Sequence, residues 1–206
     1  GPASSPKSTL ERLLDPDPKL AANLETIMAA ARAAHLPYRM TEGNSCWDGG
    51  KPGVSDTLAS ALWCADMMLE FAEAGAAGVN LHGGGEGFYT PIAGAPSTGL
   101  VARPEYYGIQ FAQQLTGRTF LKTTLTGAGP RVNAYAFEQR GHRSLVVINK
   151  DDQPLTLTIP VRTQAKAARL DGPALDSKAT PDYRSVTVPR TSHLEVPARS
   201  ATLYNL

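Results

Sequence analysis

The spacing of apolar positions changes near Arg118. Before it, three long runs carry a helical period. In "DPDPKLAANLETIMAAARAAHL", Leu20, Leu24, Ile27, Met28 and Ala31 fall on one stripe. Asp17 followed by Pro18 predicts an N-cap and a first helical residue, and Pro37 closes the run. "SDTLASALWCADMMLEFAEAG" is apolar almost all round, as expected of a helix covered on several sides, with Ser55 as its cap and Gly75 as its stop. "RPEYYGIQFAQQLTG" sets Tyr107, Phe111 and Leu115 on one face and ends at Gly117. Two short runs between these helices, "PYRMTE" and "AGVNLHGGG", read as buried strands. Helix, strand, helix, strand, helix predicts parallel α/β architecture.

After Arg118 the helical period disappears. "TFLKTTL", "RVNAYAFEQ", "HRSLVVINK", "PLTLTIPV", "YRSVTVP" and "SATLYNL" are short, alternating or β-branched, and separated by turns such as "GAGP" and "KDDQP". These predict an antiparallel β-sandwich over residues 119–206. The α/β part, residues 1–118, is short of strands. Two parallel strands with three helices cannot cover both faces of a sheet: either residues outside this chain complete it, which is the expectation, or the parallel reading is wrong.

The 206 residues suffice for one or two domains. Lys and Arg total 20 against 19 Asp and Glu, without a basic stripe, so neither nucleic acid nor an anionic membrane is expected as a partner. No apolar run approaches the roughly 20 residues that span a bilayer. No signal-peptide core follows the start, and "GPASSP" reads as a polar leader. Cys46 and Cys64 lack metal-site spacing and read as free thiols, leaving the redox compartment open. No metal or cofactor is expected.

The most chemically suggestive position is Glu42. It ends the strand "PYRMTE", where a (β/α)8 barrel delivers catalytic side chains. Period-two alternation places Tyr38, Met40 and Glu42 on one face, toward the lumen of such a barrel. Asn44 and Ser45 follow as groups able to hold a carboxylate ionised, and Gly43, Gly49 and Gly50 allow close approach of the backbone. An ordinary turn, with Glu42 paired to Arg39, fits the same letters. His82 and Asn80 share one face of the next strand, either facing a sugar or satisfied inside a barrel layer. Glu86, His142 and His193 read as solvated, and Tyr106 and Tyr107 as core.

The blocks "RMTEGNSCWDGGKPGVSDTLASALWCADMM" and "GVNLHGGGEGFYTPI" resemble glycoside hydrolase family 79, the β-glucuronidase and heparanase family. The resemblance begins near Leu10 and implies the C-terminal part of a (β/α)8 TIM barrel, about strands 7–8 and helices 6–8, followed by a β-sandwich. It implies a retaining mechanism in which Glu42 is the nucleophile. The acid/base glutamate would end the fourth strand, in a segment that this chain does not contain. A retaining pair stands about 5–5.5 Å apart, so the implied partners are that N-terminal barrel segment and a carbohydrate, a β-glucuronide or glucuronate-containing glycan. A secreted, periplasmic or extracellular setting is implied in the same way.

By motif position, Trp47, Asp48 and Gly49 correspond to the aromatic residue and glycine backbone that hold the glucuronate carboxylate, and Tyr89 to a second tyrosine at that carboxylate. His82 and Asn44, read from their positions around Glu42 rather than from the resemblance, complete the candidate substrate-binding set. The family usually has tyrosine and glycine at the first two places. Trp47 keeps an aromatic wall with an indole donor; Asp48 brings a like charge toward a sugar acid. Two alternatives therefore stand beside β-glucuronide hydrolysis: a glycosidase for neutral β-glycosides, and a non-catalytic glycan-binding or assembly module.

Overall fold

The computed structural model describes residues 1–161 and 163–206. A short helix α1 (Leu10–Leu14) precedes α2 (Pro18–Ala33). Asp17 caps α2 as the sequence predicts, its carboxylate accepting from the Lys19 and Leu20 amides. The chain leaves α2 through His35 in the left-handed region (φ 53°), with Leu36 N–H donating to the Ala31 carbonyl. Strand β1 (Arg39–Gly43), helix α3 (Leu58–Glu73) and strand β2 (Gly78–Leu81) follow. β1 and β2 pair in parallel. Gly75 (φ 93°) closes α3 by the same device as His35, since Ala76 N–H donates to the Phe71 carbonyl.

Ser55 does not cap α3. The N-cap is Thr57, and its side chain gives no capping bond. The first free amides of the helix, at Leu58 and Ala59, instead donate to the carbonyls of Ser177 and Leu175. The backbone of a distant loop thus does a cap's work, and Ser55 is released to accept from the Lys51 amide and bond the Ser45 hydroxyl. The leader is also part of the fold. Pro2 bridges to Trp47, Trp47 N–H donates to the Gly1 carbonyl, and Ser8 is buried.

A hairpin, β3 (Ile92–Ala95) with β4 (Gly99–Ala102), leads into α4 (Pro104–Gln113). α4 crosses α3 so closely that a Cβ at Gly108 would stand 2.2 Å from the Ala61 carbonyl oxygen. Only glycine fits that crossing.

The remaining strands are β5 (Thr119–Leu121), β6 (Val132–Gln139), β7 (His142–Asn149), β8 (Leu155–Val161), β9 (Ala165–Asp171), β10 (Asp182–Val188), β11 (Thr191–Val196) and β12 (Ser200–Asn205). Six form one antiparallel sheet in the order β10-β9-β12-β7-β6-β5. β8 and β11 pair separately and pack against it. Alternation assigns the faces. Tyr135, Phe137, Val146, Ile148, Ala201 and Leu203 join Leu58, Leu62 and Phe111 in one core, while Leu145, Val147 and Tyr204 join Val161, Leu194 and Val196 in another. The first core ties α3 and α4 to the antiparallel sheet.

A buried polar knot crosses the same boundary. Asp66, mid-way along α3, meets the Lys150 ammonium at 2.6 Å and accepts from the Asn133 amide and the Tyr135 hydroxyl, each at 2.7 Å. Burial, then the neighbouring Asp66 charge, holds the Tyr135 phenol protonated.

Candidate active site

β1 begins against the helices. Tyr38 and Met40 pack with Leu24, Met28, Met67 and Phe71 from α2 and α3, as do Val79 and Leu81 of β2. Strict alternation would put Glu42 on that buried side as well. The β1–β2 register, however, jumps between Met40↔Val79 and Gly43↔Leu81. Thr41 and Glu42 together therefore oppose the single residue Asn80, which is a β-bulge. The extra residue inverts the phase, and Glu42 emerges beside His82 with its Oε1 3.9 Å from Nε2. The expectation that Tyr38, Met40 and Glu42 share a face is thus corrected. The first two belong to the helix-facing core, and the bulge turns the third to the open side.

The residues on that open side are charged and polar. Arg39 crosses over Gly78, bonds Asn80 Oδ1 at 3.1 Å and reaches the Ala77 carbonyl, so it does not pair with Glu42. The Glu42 side chain is 71 % exposed. His82 Nδ1 and the Tyr89 hydroxyl lie 2.6 Å apart. With Nε2 turned toward a carboxylate, the favoured neutral tautomer carries its proton on Nε2, and Nδ1 accepts from Tyr89. Glu42, His82 and Tyr89 thus stand together, the last two hydrogen-bonded and the first 3.9 Å from the imidazole.

Asn44 and Ser45 do not hold the Glu42 carboxylate. The Asn44 amide donates to the His82 carbonyl at 2.8 Å and to Glu105 Oε1 at 3.0 Å, and Ser45 bonds Ser55. Both serve the backbone beneath the site.

The loops that leave β1 and β2 are joined. Phe88 N–H donates to the Gly49 carbonyl, and Arg103 donates to the Gly87 carbonyl. A Cβ at Gly50 would meet the Tyr89 amide at 2.6 Å. Gly50 has φ 82° and Gly49 φ 83°, so both conformation and space require glycine at position 50. Asp48 also sits in the left-handed region, at φ 66°, where aspartate is among the tolerated side chains. Trp47, 61 % exposed, is fixed by its backbone to the leader. The structure therefore brings Glu42, His82 and Tyr89 into one cluster, ties Gly49 to the loop that carries Tyr89, and sets Trp47 and Asp48 on the preceding stretch.

Glu86 is exposed, with Arg103 at 3.8 Å, and His142 and His193 are exposed on the β-module. No group of three or more His, Cys, Asp or Glu with metal-binding geometry occurs among the described residues. No helix of the described residues is long and apolar enough to cross a membrane. Sequence reasoning passed over Glu105, whose buried carboxyl underlies the turn after Glu42; its only signal was an acid in the first turn of a helix of otherwise ordinary composition.

No protein-family profile matches the chain. A β-glucuronidase of Neurospora crassa is 37 % identical over 82 residues, which are 38 % of this chain and 14 % of that protein. Among solved structures, the GH51 α-L-arabinofuranosidase of Thermotoga petrophila RKU-1 superposes with a TM-score of 0.70 at 15 % identity. The match covers 91 % of this chain and 47 % of that one. A GH30 endoxylanase of Clostridium papyrosolvens C71 gives 0.60 at 16 % identity, over 90 % and 46 % of the two chains. The chain has a glycoside hydrolase-like fold. It spans less than half the length of these structures and a small share of the matched β-glucuronidase.

Proposed function

We propose that the chain is the C-terminal portion of a retaining β-glycosidase of the β-glucuronidase and heparanase type, with Glu42 as its nucleophile. The observation that carries this reading is the bulge at the end of β1. It lifts one carboxylate out of the helix-facing core and presents it on the open side, next to a histidine that follows the adjacent parallel strand. That is where a (β/α)8 barrel displays its reacting groups.

In this reading β1 and β2 are neighbouring barrel strands, residues 1–118 are the end of the barrel, and residues 119–206 form a sandwich beside it. The open face and the unpaired outer edge of β1 are completed by an N-terminal barrel segment, which also brings the acid/base glutamate. Glu42 attacks the anomeric carbon while that acid protonates the departing oxygen. Water then cleaves the glycosyl-enzyme ester with the same residue acting as base. His82 lies close enough to Glu42 to orient its carboxylate between these steps.

The substrate proposed is a β-glucuronide, in keeping with the identity shared with the Neurospora β-glucuronidase. One observation favours a neutral β-glycoside as a second reading. The Tyr89 hydroxyl that would bind a sugar acid is engaged by His82, and Asp48 adds a like charge in the neighbouring loop.

A 2-fluoro glucuronide or cyclophellitol-type probe, incubated with the complete protein, is expected to label Glu42. Turnover of an aryl β-glucuronide should vanish in Glu42→Gln. Labelling of another residue, or full turnover by that variant, overturns the assignment. Preference for an aryl glucoside or xyloside over the glucuronide selects the second reading.

A further inference from the structure

Beneath the proposed nucleophile lies an acid for which the mechanism has no use. Glu105, in the first turn of α4, is 1 % exposed. Its Oε1 accepts one bond, from the Asn44 amide, and its Oε2 is buried without a partner among the described residues. We propose that Glu105 is a positioning residue that clamps Asn44, and through it fixes the Glu42 turn to the strand end bearing His82.

The geometry of the clamp is specific. Asn44 stands two residues beyond Glu42 and uses both ends of its amide. Nδ2 bridges Glu105 and the His82 carbonyl, while Oδ1 accepts from the Ser45 amide at 2.6 Å. The His82 amide donates in return to the Gly43 carbonyl. Two bonds thus lock the ends of β1 and β2 together, and Glu105 sets the orientation of the side chain making one of them. The bulge that aims Glu42 lies immediately before this lock.

The clamp works with an uncharged acid. A carboxylate sealed from water with one hydrogen bond and no cation would be strongly unfavourable. The α4 N-terminus favours a charge, but by no more than about 1.5 pKa units. Burial raises the Glu105 pKa to about 8, against the smaller opposing effect of the Asn44 bond. The titratable group facing it is the Cys64 thiol of α3, itself pushed up by burial. From the β1 and β2 ends come only the neutral Asn44 amide and the His82 carbonyl.

In linking this clamp to turnover the inference rests on the glycosidase reading above; its test does not. Hydrogen–deuterium exchange of the complete protein can follow segments 42–46 and 82–85 in wild type, Glu105→Gln and Asn44→Ala. At pH 4, below the ordinary carboxyl value, wild type and Glu105→Gln should exchange alike. At pH 9.5, where the wild-type acid ionises and its pocket must open to hydrate it, both segments should exchange about tenfold faster in wild type than in Glu105→Gln. Asn44→Ala should loosen them at both pH values.

Thermal unfolding supplies the second readout. An acid whose folded pKa is raised contributes most below its unfolded value. Wild type should therefore lose Tm relative to Glu105→Gln as pH climbs from 4.5 toward about 8. Identical exchange of wild type and Glu105→Gln at both pH values overturns the proposal. So does unchanged exchange of the two segments in Asn44→Ala, or a pH effect that lies elsewhere in the chain.

Discussion

Strands β7 and β1 each stand next to the α3 layer, yet one is closed in on both faces and the other on one. β7 sends Val146 and Ile148 toward the helices and Leu145 and Val147 toward β8 and β11, so alternate residues feed two separate cores. β1 sends Met40 toward α2 and α3 and, past its bulge, turns Glu42 away from them. Every side chain from Ser144 to Asn149 is buried in β7. On β1 and β2 the open face carries Arg39, Glu42, Asn80 and His82, groups that would be costly inside a dry core. Covering both faces gives rigidity, while leaving one open gives a place for charge. The chain uses the first region to hold the second.

If the covered region is the anchor, breaking it should give the largest effect. Asp66 and Lys150 are nearly sealed from solvent, with side chains 7 % and 5 % exposed, and they join α3 to the end of β7. Removing one partner strands the other. Lys150→Ala should cost about 3–5 kcal/mol of unfolding free energy. A chemical denaturation midpoint measured on the complete protein checks this. A loss below 1 kcal/mol would mean that water reaches Asp66 and that the two regions are less firmly joined than the packing indicates.

Next in size is the α3–α4 crossing. In Gly108→Ala the methyl would have to displace the Ala61 carbonyl, which is backbone and cannot rotate aside. The helices must separate, at about 1–3 kcal/mol. The same denaturation series reads it, and a wild-type midpoint would show that the crossing adjusts freely.

How far these features were legible depends on whether the signal was local. Asp17 and Pro18 cap α2 from within the chain's next few residues, and α3 is apolar almost all round because it meets α1, α2, α4 and strands of two sheets. Both were readable. Strand β9, "AKAARLD", was not, since three alanines and no β-branched residue favour a helix on propensity; pairing on both edges, with β10 and β12, overrides that preference. The α3 N-terminus was misread because its partners, Leu175 and Ser177, lie far along the chain.

The site divides along the same line. The carboxylate at a strand end and its glycine-rich loop stand out in the letters, whereas the face it points to depends on a bulge defined only by the neighbouring strand. Glu105 was invisible for the same reason, as burial of a first-turn acid is a property of what folds over it.

On the open face, stability and chemistry should part company. Among the described residues Glu42 has no ion-pair approach shorter than the 3.9 Å to His82. Glu42→Gln should change unfolding free energy by about 0.5 kcal/mol or less, while abolishing the glycoside turnover proposed for the complete protein. A large stability loss would make Glu42 a structural residue, and would erase the contrast between the two regions.

The smallest structural effect, and the sharpest test of specificity, is expected at Asp48. Its φ of 66° is one that glycine adopts freely, so Asp48→Gly removes a modest strain. It also frees the unfolded chain, which offsets about 0.4–1 kcal/mol of any gain. The two contributions nearly cancel, and Tm should barely move. Charge does not cancel. If Asp48 repels a sugar acid, the glycine variant should raise turnover of an aryl glucuronide relative to an aryl glucoside. An unchanged ratio with unchanged Tm clears Asp48 and leaves the Tyr89–His82 bond as the feature that sets preference, because that bond is untouched by the substitution. The open face can then be retuned one group at a time, because the covered sheet behind it carries the stability.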